Sequence, residues 1–189
     1  MKAVMISIRP EWCEKIAHSK KTLELRKSFP KLELPFKCYI YCTKDKYGHL
    51  YLNDTGNCRE EFPLLYIKHN ATSLVPKSYI NGMVIGEFIC DSVLSHCEMA
   101  NADLAEQMGC IRREKILEYS GGKEVFGWHI SDLVIYDNPK KLSEFYVWKK
   151  CNSCRKSGYE STACGYDEDC KVPAMITRPP QSWCYVQEE

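Results

Sequence analysis

The chain has 189 residues and is close to electroneutral, with 26 Lys and Arg against 25 Asp and Glu. Apolar residues at 44% and charged residues at 27% exclude a disordered chain, a collagen repeat and a coiled coil. A formal charge of +1 argues against a protein that coats DNA by bulk electrostatics, and leaves room only for a local basic patch.

This length predicts one domain over residues 1–189, able to bury roughly 70% of its unfolded surface without disulfides. The apolar run at residues 3–8 is too short for a signal peptide, and nothing approaches the ~20 apolar residues of a membrane helix. The expectation is a cytoplasmic protein with no membrane partner. Twelve cysteines would suggest a disulfide framework in a small exported domain, but without an export signal they read as mostly free thiols in a reducing compartment.

In chain order, Val4, Ile6 and Ile8 alternate with Ala3, Met5 and Ser7, which predicts a strand over 3–9. Pro10 suits the first turn of a helix. The i,i+4 pairs Trp12/Ile16 and Cys13/Ala17 give that helix one apolar face, ending near Ser19. Residues 22–27 predict a second strand with Leu23 and Leu25 on one face and Thr22, Glu24 and Arg26 on the other. Pro30 and Pro35 bracket a loop, and the aromatic and β-branched run over 37–43 predicts a third strand. Residues 44–80 read as loops with one hairpin built from the short apolar runs at 50–52 and 64–67.

Residues 82–94 predict one long strand, in which Gly86 marks a bulge or a close backbone approach. Asn101 caps a short helix through Met108, and a further helix over 112–119 stops at Gly121-Gly122. Residues 125–136 read as a strand, 141–148 as a short helix and 182–186 as a terminal strand. About six strands joined by irregular connections, without strict βαβ alternation, predict an α+β fold: a mixed, barrel-like sheet with short flanking helices.

Four of the cysteines crowd into one segment: Cys151, Cys154, Cys164 and Cys170. A Cys-x-x-Cys turn aims two thiolates at one centre, and a second pair completes a tetrahedron. The surrounding residues, 149–173, are rich in Ser, Gly, Asp and Lys and too poor in apolar side chains to fold alone, so a structural Zn(2+) would replace the missing core. A labile disulfide and free thiols are the alternatives. The other eight cysteines read as small buried hydrophobes. Residues 140–156 carry Lys140, Lys141, Lys149, Lys150, Arg155 and Lys156 against Glu144, interleaved with Phe145, Tyr146 and Trp148. Charge with aromatic rings is what single-stranded nucleic acid requires. A solvated helix face with core aromatics is the equal alternative.

Lys21-Thr22-Leu23-Glu24-Leu25-Arg26 is the most telling segment, since it lines up Thr22, Glu24 and Arg26 about 7 Å apart along one strand face. It reads either as an exposed face with a cross-paired Glu and Arg, or as the floor of a polar binding site.

Together with Ser7-Ile8-Arg9-Pro10 and the helix between them, this segment resembles the ASCH domain, a branch of the PUA-like superfamily. The family pattern is a strand, a helix ending near Gly-x-Lys, then x-x-Glu-x-Arg; Ser19 stands near the place where Gly is common. Val84-Ile85-Gly86-Glu87-Phe88 and Trp128-His129-Ile130 add to the match. Arg178-Pro179-Pro180-Gln181-Ser182-Trp183 is similar to a form found in phage and bacterial members. The likeness covers most of 1–136 and 176–187, and leaves 149–173 as a cysteine-rich insertion.

The resemblance implies a small PUA-like β-barrel with a cleft between barrel and helix, and RNA, single-stranded nucleic acid or a modified nucleotide as ligand. The implied ligand contacts are Arg9, Trp12, Lys21, Thr22, Glu24, Arg26, Glu87, Arg178, Gln181 and Ser182, with Trp183 as a second ring for stacking. Enzymatic relatives, nucleoside amidohydrolases and a ribonuclease, imply Lys21 and Glu24 as the catalytic pair if this chain is an enzyme. The amidohydrolases place a nucleophilic threonine where this chain has Glu24, and a carboxylate cannot perform the same acyl chemistry. A regulatory protein–protein role, with the cysteine segment as docking surface, is the third expectation.

Overall fold

The computed structural model describes residues 2–52, 64–68, 79–95, 102–151 and 171–187. β1 (Lys2–Ile8) lies inside a seven-stranded sheet, parallel to β3 (Phe36–Cys42) and antiparallel to the C-terminal β12 (Trp183–Gln187). Residues 3–8 are all buried, as expected for a strand covered on both faces. Val4, Ile6 and Ile8 enter a core with Cys13, Ile16, Phe88 and Trp128, while Ala3 and Met5 enter a second core with Tyr39, Phe145, Ile176 and Val186.

Beyond β3 the sheet continues through β6 (Met83–Cys90) to β9 (Ser131–Lys141) at one edge. On the far side of β12 it continues through β10 (Tyr146–Lys150) to β11 (Lys171–Met175) at the other. A three-stranded sheet orders β2 (Leu23–Arg26), β8 (Phe126–His129) and β7 (Val93–Leu94). The hairpin expected within 44–80 is present as β4 (Gly48–Leu52) paired with β5 (Leu64–Lys68). α1 (Pro10–Ala17) buries Cys13 and Ile16 against the first core, and α2 (Ala102–Gly109) and α3 (Arg113–Ser120) flank β2.

α1 ends in a Schellman arrangement. The Lys20 N–H donates to Lys15 O at 2.9 Å and the Ser19 N–H to Ile16 O at 2.8 Å, with Ser19 left-handed at φ 54°. Glycine adopts that conformation without strain, which explains why Gly is the common residue there. Ser19→Gly is expected to stabilise the fold by about 0.5–1 kcal/mol, read as a rise of a few degrees in melting temperature.

Several expectations require correction. The strands do not close into a barrel: they form three sheets, and the count is twelve strands among the described residues rather than six. The strand expected over 82–94 breaks at Asp91-Ser92, where the chain leaves the large sheet for the small one. The strand expected over 125–136 breaks at Ile130, where the chain returns. Ile130 N–H donates to Thr22 O there at 2.9 Å instead of continuing a ladder. The helix expected over 141–148 is a single 3-10 turn, Leu142–Glu144, followed by β10. Val147 packs in the second core while Trp148 faces away, so the run alternates with the period of a strand. Sequence reading found no strand at 171–175, which pairs with β10 from Lys150↔Lys171 to Tyr146↔Met175.

The two crossings between sheets are tied to each other by His129, whose Nδ1 lies 2.6 Å from Asp91 Oδ1 and whose N–H donates to Ser92 O at 3.0 Å. Burial pushes the Asp91 carboxyl up, but the contact with His129 and the Ser131 hydroxyl outweighs it and holds it below its ordinary value. A carboxyl depressed in the fold contributes stability above its unfolded pKa and loses it as pH falls through the folded value. Asp91→Asn should therefore lower the melting temperature slightly at pH 7, with the gap closing below about pH 4. The pair is half-exposed, so the effect stays within about 1 kcal/mol.

Candidate functional site

The site grows out of the turn between α1 and β2. Lys20 and Lys21 both donate backbone N–H groups to Lys15 O, which fixes where Lys21 leaves the helix. The C-terminus of α2 then meets it. Thr22 N–H donates to Met108 O at 2.9 Å, and the Lys21 ammonium donates to Gly109 O at 3.0 Å and Leu23 O at 2.6 Å. A cation at a helix C-terminus is favoured by the helix dipole.

Glu24 sits between two cations. Its Oε1 is 2.9 Å from Arg26 Nη2, and its Oε2 is 3.3 Å from Lys21 Nζ. All three are buried, with 4% of Lys21, 6% of Glu24 and 8% of Arg26 exposed, so the strand face is not a solvated surface. The Lys21 contact has ion-pair distance without hydrogen-bond geometry, which leaves Glu24 Oε2 with no donor; Arg26 Nε likewise has no acceptor among the described residues. Trp128 is the cross-strand partner of Glu24, fully buried, and its Nε1 is also unpartnered. One acceptor and two donors thus stand unmatched within one β2–β8 face. Buried polar groups are rarely left so.

The C-terminal segment closes the site. Ser7 N–H donates to Ser182 O at 2.9 Å and Ser7 Oγ donates to Pro180 O at 2.6 Å, which ties the 178–182 loop to β1. Arg26 Nη2 donates to Ser7 O at 2.6 Å and Nη1 to Ser182 Oγ at 3.4 Å. Aromatic rings surround the ions. Trp12 faces Lys21 Nζ at 5.5 Å from its centroid, and Trp183 lies 6.0 Å from Trp128. Burial raises the Tyr119 hydroxyl, with Arg26 opposing and Glu24 adding to the shift, so α3 brings this phenol within electrostatic reach of the pair.

Of the sequence-derived residues, the structure gathers Trp12, Lys21, Glu24, Arg26 and Ser182, with Thr22 half-buried at the start of β2. Arg9 is exposed at the N-cap of α1, and Arg178 and Gln181 are exposed in the 178–182 loop. Glu87 is placed elsewhere. It pairs with Tyr39 across β6 and β3, on the side of the second core, and binds Lys37 at 3.0 Å and the Tyr136 hydroxyl at 2.5 Å. Sequence reading missed Ser7, the Gly109 carbonyl and Tyr119, and weighed Trp128 as core against a stacking platform; the structure buries it fully. Ser7 alone carried a signal, as the polar residue before Ile8-Arg9-Pro10.

Cys151 is buried directly after β10, and Cys154, Cys164 and Cys170 lie outside the described residues. Among the described residues, no group of three or more His, Cys, Asp or Glu is placed to hold a metal ion. Of the other eight, Cys13, Cys38, Cys42 and Cys90 are buried in the core, while Cys110 is half-buried and in none of the cores, and Cys58 and Cys97 lie outside the described residues. Burial raises the thiols of Cys13, Cys38, Cys90 (to about 12) and the half-buried Cys184 (to about 11). No helix among the described residues is long and apolar enough to cross a membrane.

This arrangement of sheets and short helices is the fold of ASCH-domain structures. The chain is similar to the ASCH protein of Zymomonas mobilis at a TM-score of 0.55 and 14% identity, over 98% of this chain and 88% of that one. A tyrosine-to-phenylalanine variant of that protein matches at the same TM-score and identity over 100% of this chain and 92% of that one. A serine-to-alanine variant matches over 98% and 89%. At this identity the likeness establishes the fold alone. No family model and no curated protein matches the sequence.

Proposed function

We propose that the chain is a nucleic-acid-binding module whose Lys21–Glu24–Arg26 site holds one base of RNA, of another single strand or of a free nucleotide. The observation that carries this reading is the trio of buried, unmatched groups, Glu24 Oε2, Arg26 Nε and Trp128 Nε1. A base edge offers donors and acceptors side by side in one plane, which is what such a set requires. A carboxylate accepts from an N–H, so the site suits a base edge that presents an amino or imino proton beside acceptors. Trp12 and Trp183 supply rings for stacking.

The ion pairs support binding over hydrolysis. Proton transfer by Lys21 would have to break its bonds to Leu23 O and Gly109 O, and Glu24 is clamped from both sides. Titration of the full chain with cytidine, guanosine, uridine and adenosine monophosphates by calorimetry tests the reading. Binding of any of the four, weakened by Arg26→Lys, supports it. Absence of binding across the four rejects it, and turnover of RNA or of acetylated cytidine would revive the hydrolase alternative.

We also propose that Cys151, Cys154, Cys164 and Cys170 hold one structural zinc ion. The support is positional: β10 and β11 are paired up to Lys150↔Lys171, the residues that adjoin Cys151 and Cys170 in sequence. Native mass spectrometry should read one zinc, lost on denaturation and on Cys154→Ser. A metal-free mass would reject the site.

A further inference from the structure

The site described above occupies one end of a longer face. In β12, Trp183 and Tyr185 stand opposite Ile6 and Val4, the β1 residues of the first core, whereas Cys184 and Val186 belong to the second core. Tyr146 of β10 pairs with Gln187, which puts Tyr146, Trp148 and Lys150 on the same face as Trp183 and Tyr185. Val147, pointing the other way, packs in the second core and confirms the phase. β11 adds Met175, Pro173 and Lys171 opposite those three residues.

Near β1 this face is covered by α1 and the small sheet. At the β12–β10–β11 end it is open: Tyr185 is 41% exposed, Trp148 47% and Met175 53%. Such a run of exposed rings on consecutive strands is uncommon on a protein surface. The rings are ordered from the site outward, with Trp183 and Tyr185 in edge contact at 5.5 Å between centroids. Tyr185 is further fixed by accepting the Lys31 N–H at 2.9 Å, and Trp183 by donating to Ser28 Oγ at 3.2 Å. The charge is of one sign: β10, β11 and β12 carry Lys149, Lys150 and Lys171 and no Asp or Glu.

We infer that this face is a second contact surface for a single nucleic-acid strand, running outward from the base held at Glu24. Bases stack on Tyr185 and Trp148, and Lys150 and Lys171 neutralise phosphates at the outer end. Continuing the antiparallel Tyr146↔Gln187 register puts Trp148 beside Tyr185 on the neighbouring strand, about 5 Å away between backbones, so consecutive bases can stack on adjacent rings. The inference rests on the reading of the Glu24 site as a base pocket, and it makes the preferred ligand a strand of several nucleotides instead of a free nucleotide. Duplexes fit poorly, because their bases are not available to stack.

The test compares a fluorescein-labelled ten-nucleotide single-stranded RNA with guanosine and cytidine monophosphates, using the full chain. The RNA should bind more tightly than either nucleotide. Trp148→Ala should weaken RNA binding on the order of tenfold, and Trp148→Phe should restore most of it. Neither variant should alter nucleotide binding. The double change Lys150→Ala and Lys171→Ala should reduce the slope of log affinity against log salt by roughly 1.4. Far-ultraviolet circular dichroism checks that each variant is folded.

RNA binding unaffected by Trp148→Ala, or no tighter than nucleotide binding, overturns the inference while leaving the pocket intact. Trp148-dependent RNA binding with no nucleotide binding supports the surface and instead removes the pocket reading. Absence of RNA binding overturns the inference and leaves the face to a protein partner.

Discussion

Glu24→Gln should destabilise the fold by about 3–5 kcal/mol, because it leaves the buried Lys21 and Arg26 cations without their shared counter-charge. For a chain of this length that is a fall in melting temperature on the order of 10 °C. The loss is a property of the arrangement and not of glutamate chemistry. Two further substitutions separate these. Lys21→Met in the Glu24→Gln background removes one of the two uncompensated cations and should recover part of the stability. Glu118→Gln breaks an ion pair of the same type, Lys115 Nζ to Glu118 Oε2 at 2.6 Å, but both side chains are exposed and the melting temperature should not move. A Glu24→Gln protein that melts like the parent would mean that water reaches the trio, and the argument from buried unmatched groups would fall with it.

The central elements were readable because their side chains carry the period of their structure. β1 alternates, α1 repeats at four, and both matched their expected ranges within two residues. The Lys21–Arg26 segment was readable as a polar strand face, and its burial removes the reading as an exposed one. Burial itself could not be read from it. Glu24 and Arg26 look the same on a solvated edge, and only the arrival of α2, the 178–182 loop and Trp128 closes them off. Those contacts span up to 156 positions of sequence, as between Arg26 and Ser182.

Three of the errors share one physical origin. A strand that passes from one sheet to another keeps its apolar content, so 82–94 and 125–136 each looked continuous although Asp91-Ser92 and Ile130 are corners. The barrel expectation failed at the same corners, since a chain that changes sheets leaves free edges at β9 and β11. The segment 141–148 failed through its prefix. Lys140 to Glu144 gives a helix-like start, but the Tyr146-Val147-Trp148 run that follows prefers a pleated surface.

Gly86 is where a sequence signal and the packing agree most closely, and it carries the second large expectation. A Cβ at this position would fall inside the contact distance of the Val134 carbonyl oxygen and 3.1 Å from Ile135 Cα. Both are backbone atoms of β9 and cannot rotate aside. The strands are already irregular there, with the β6–β9 register shifting between Val84 and Gly86. Gly86→Ala must therefore push β9 away from β6 or break the ladder, at a cost of roughly 3 kcal/mol, the upper end for an overpacked core. Gly127→Ala is the matched comparison. Its Cβ would meet only side-chain atoms of the buried Leu23, Cδ2 at 2.7 Å and Cδ1 and Cγ at 2.9 Å, which can shift by rotation where a backbone cannot. Urea unfolding of the two variants should show a midpoint lowered several-fold more by Gly86→Ala. Because β9 also supplies Tyr136 to Glu87, hydrogen exchange at Tyr39 and Glu87 should accelerate in the Gly86 variant and stay unchanged in the other. Equal losses would mean that β9 slides freely on β6, and the glycine would then mark a weak point in the sheet and not a close approach.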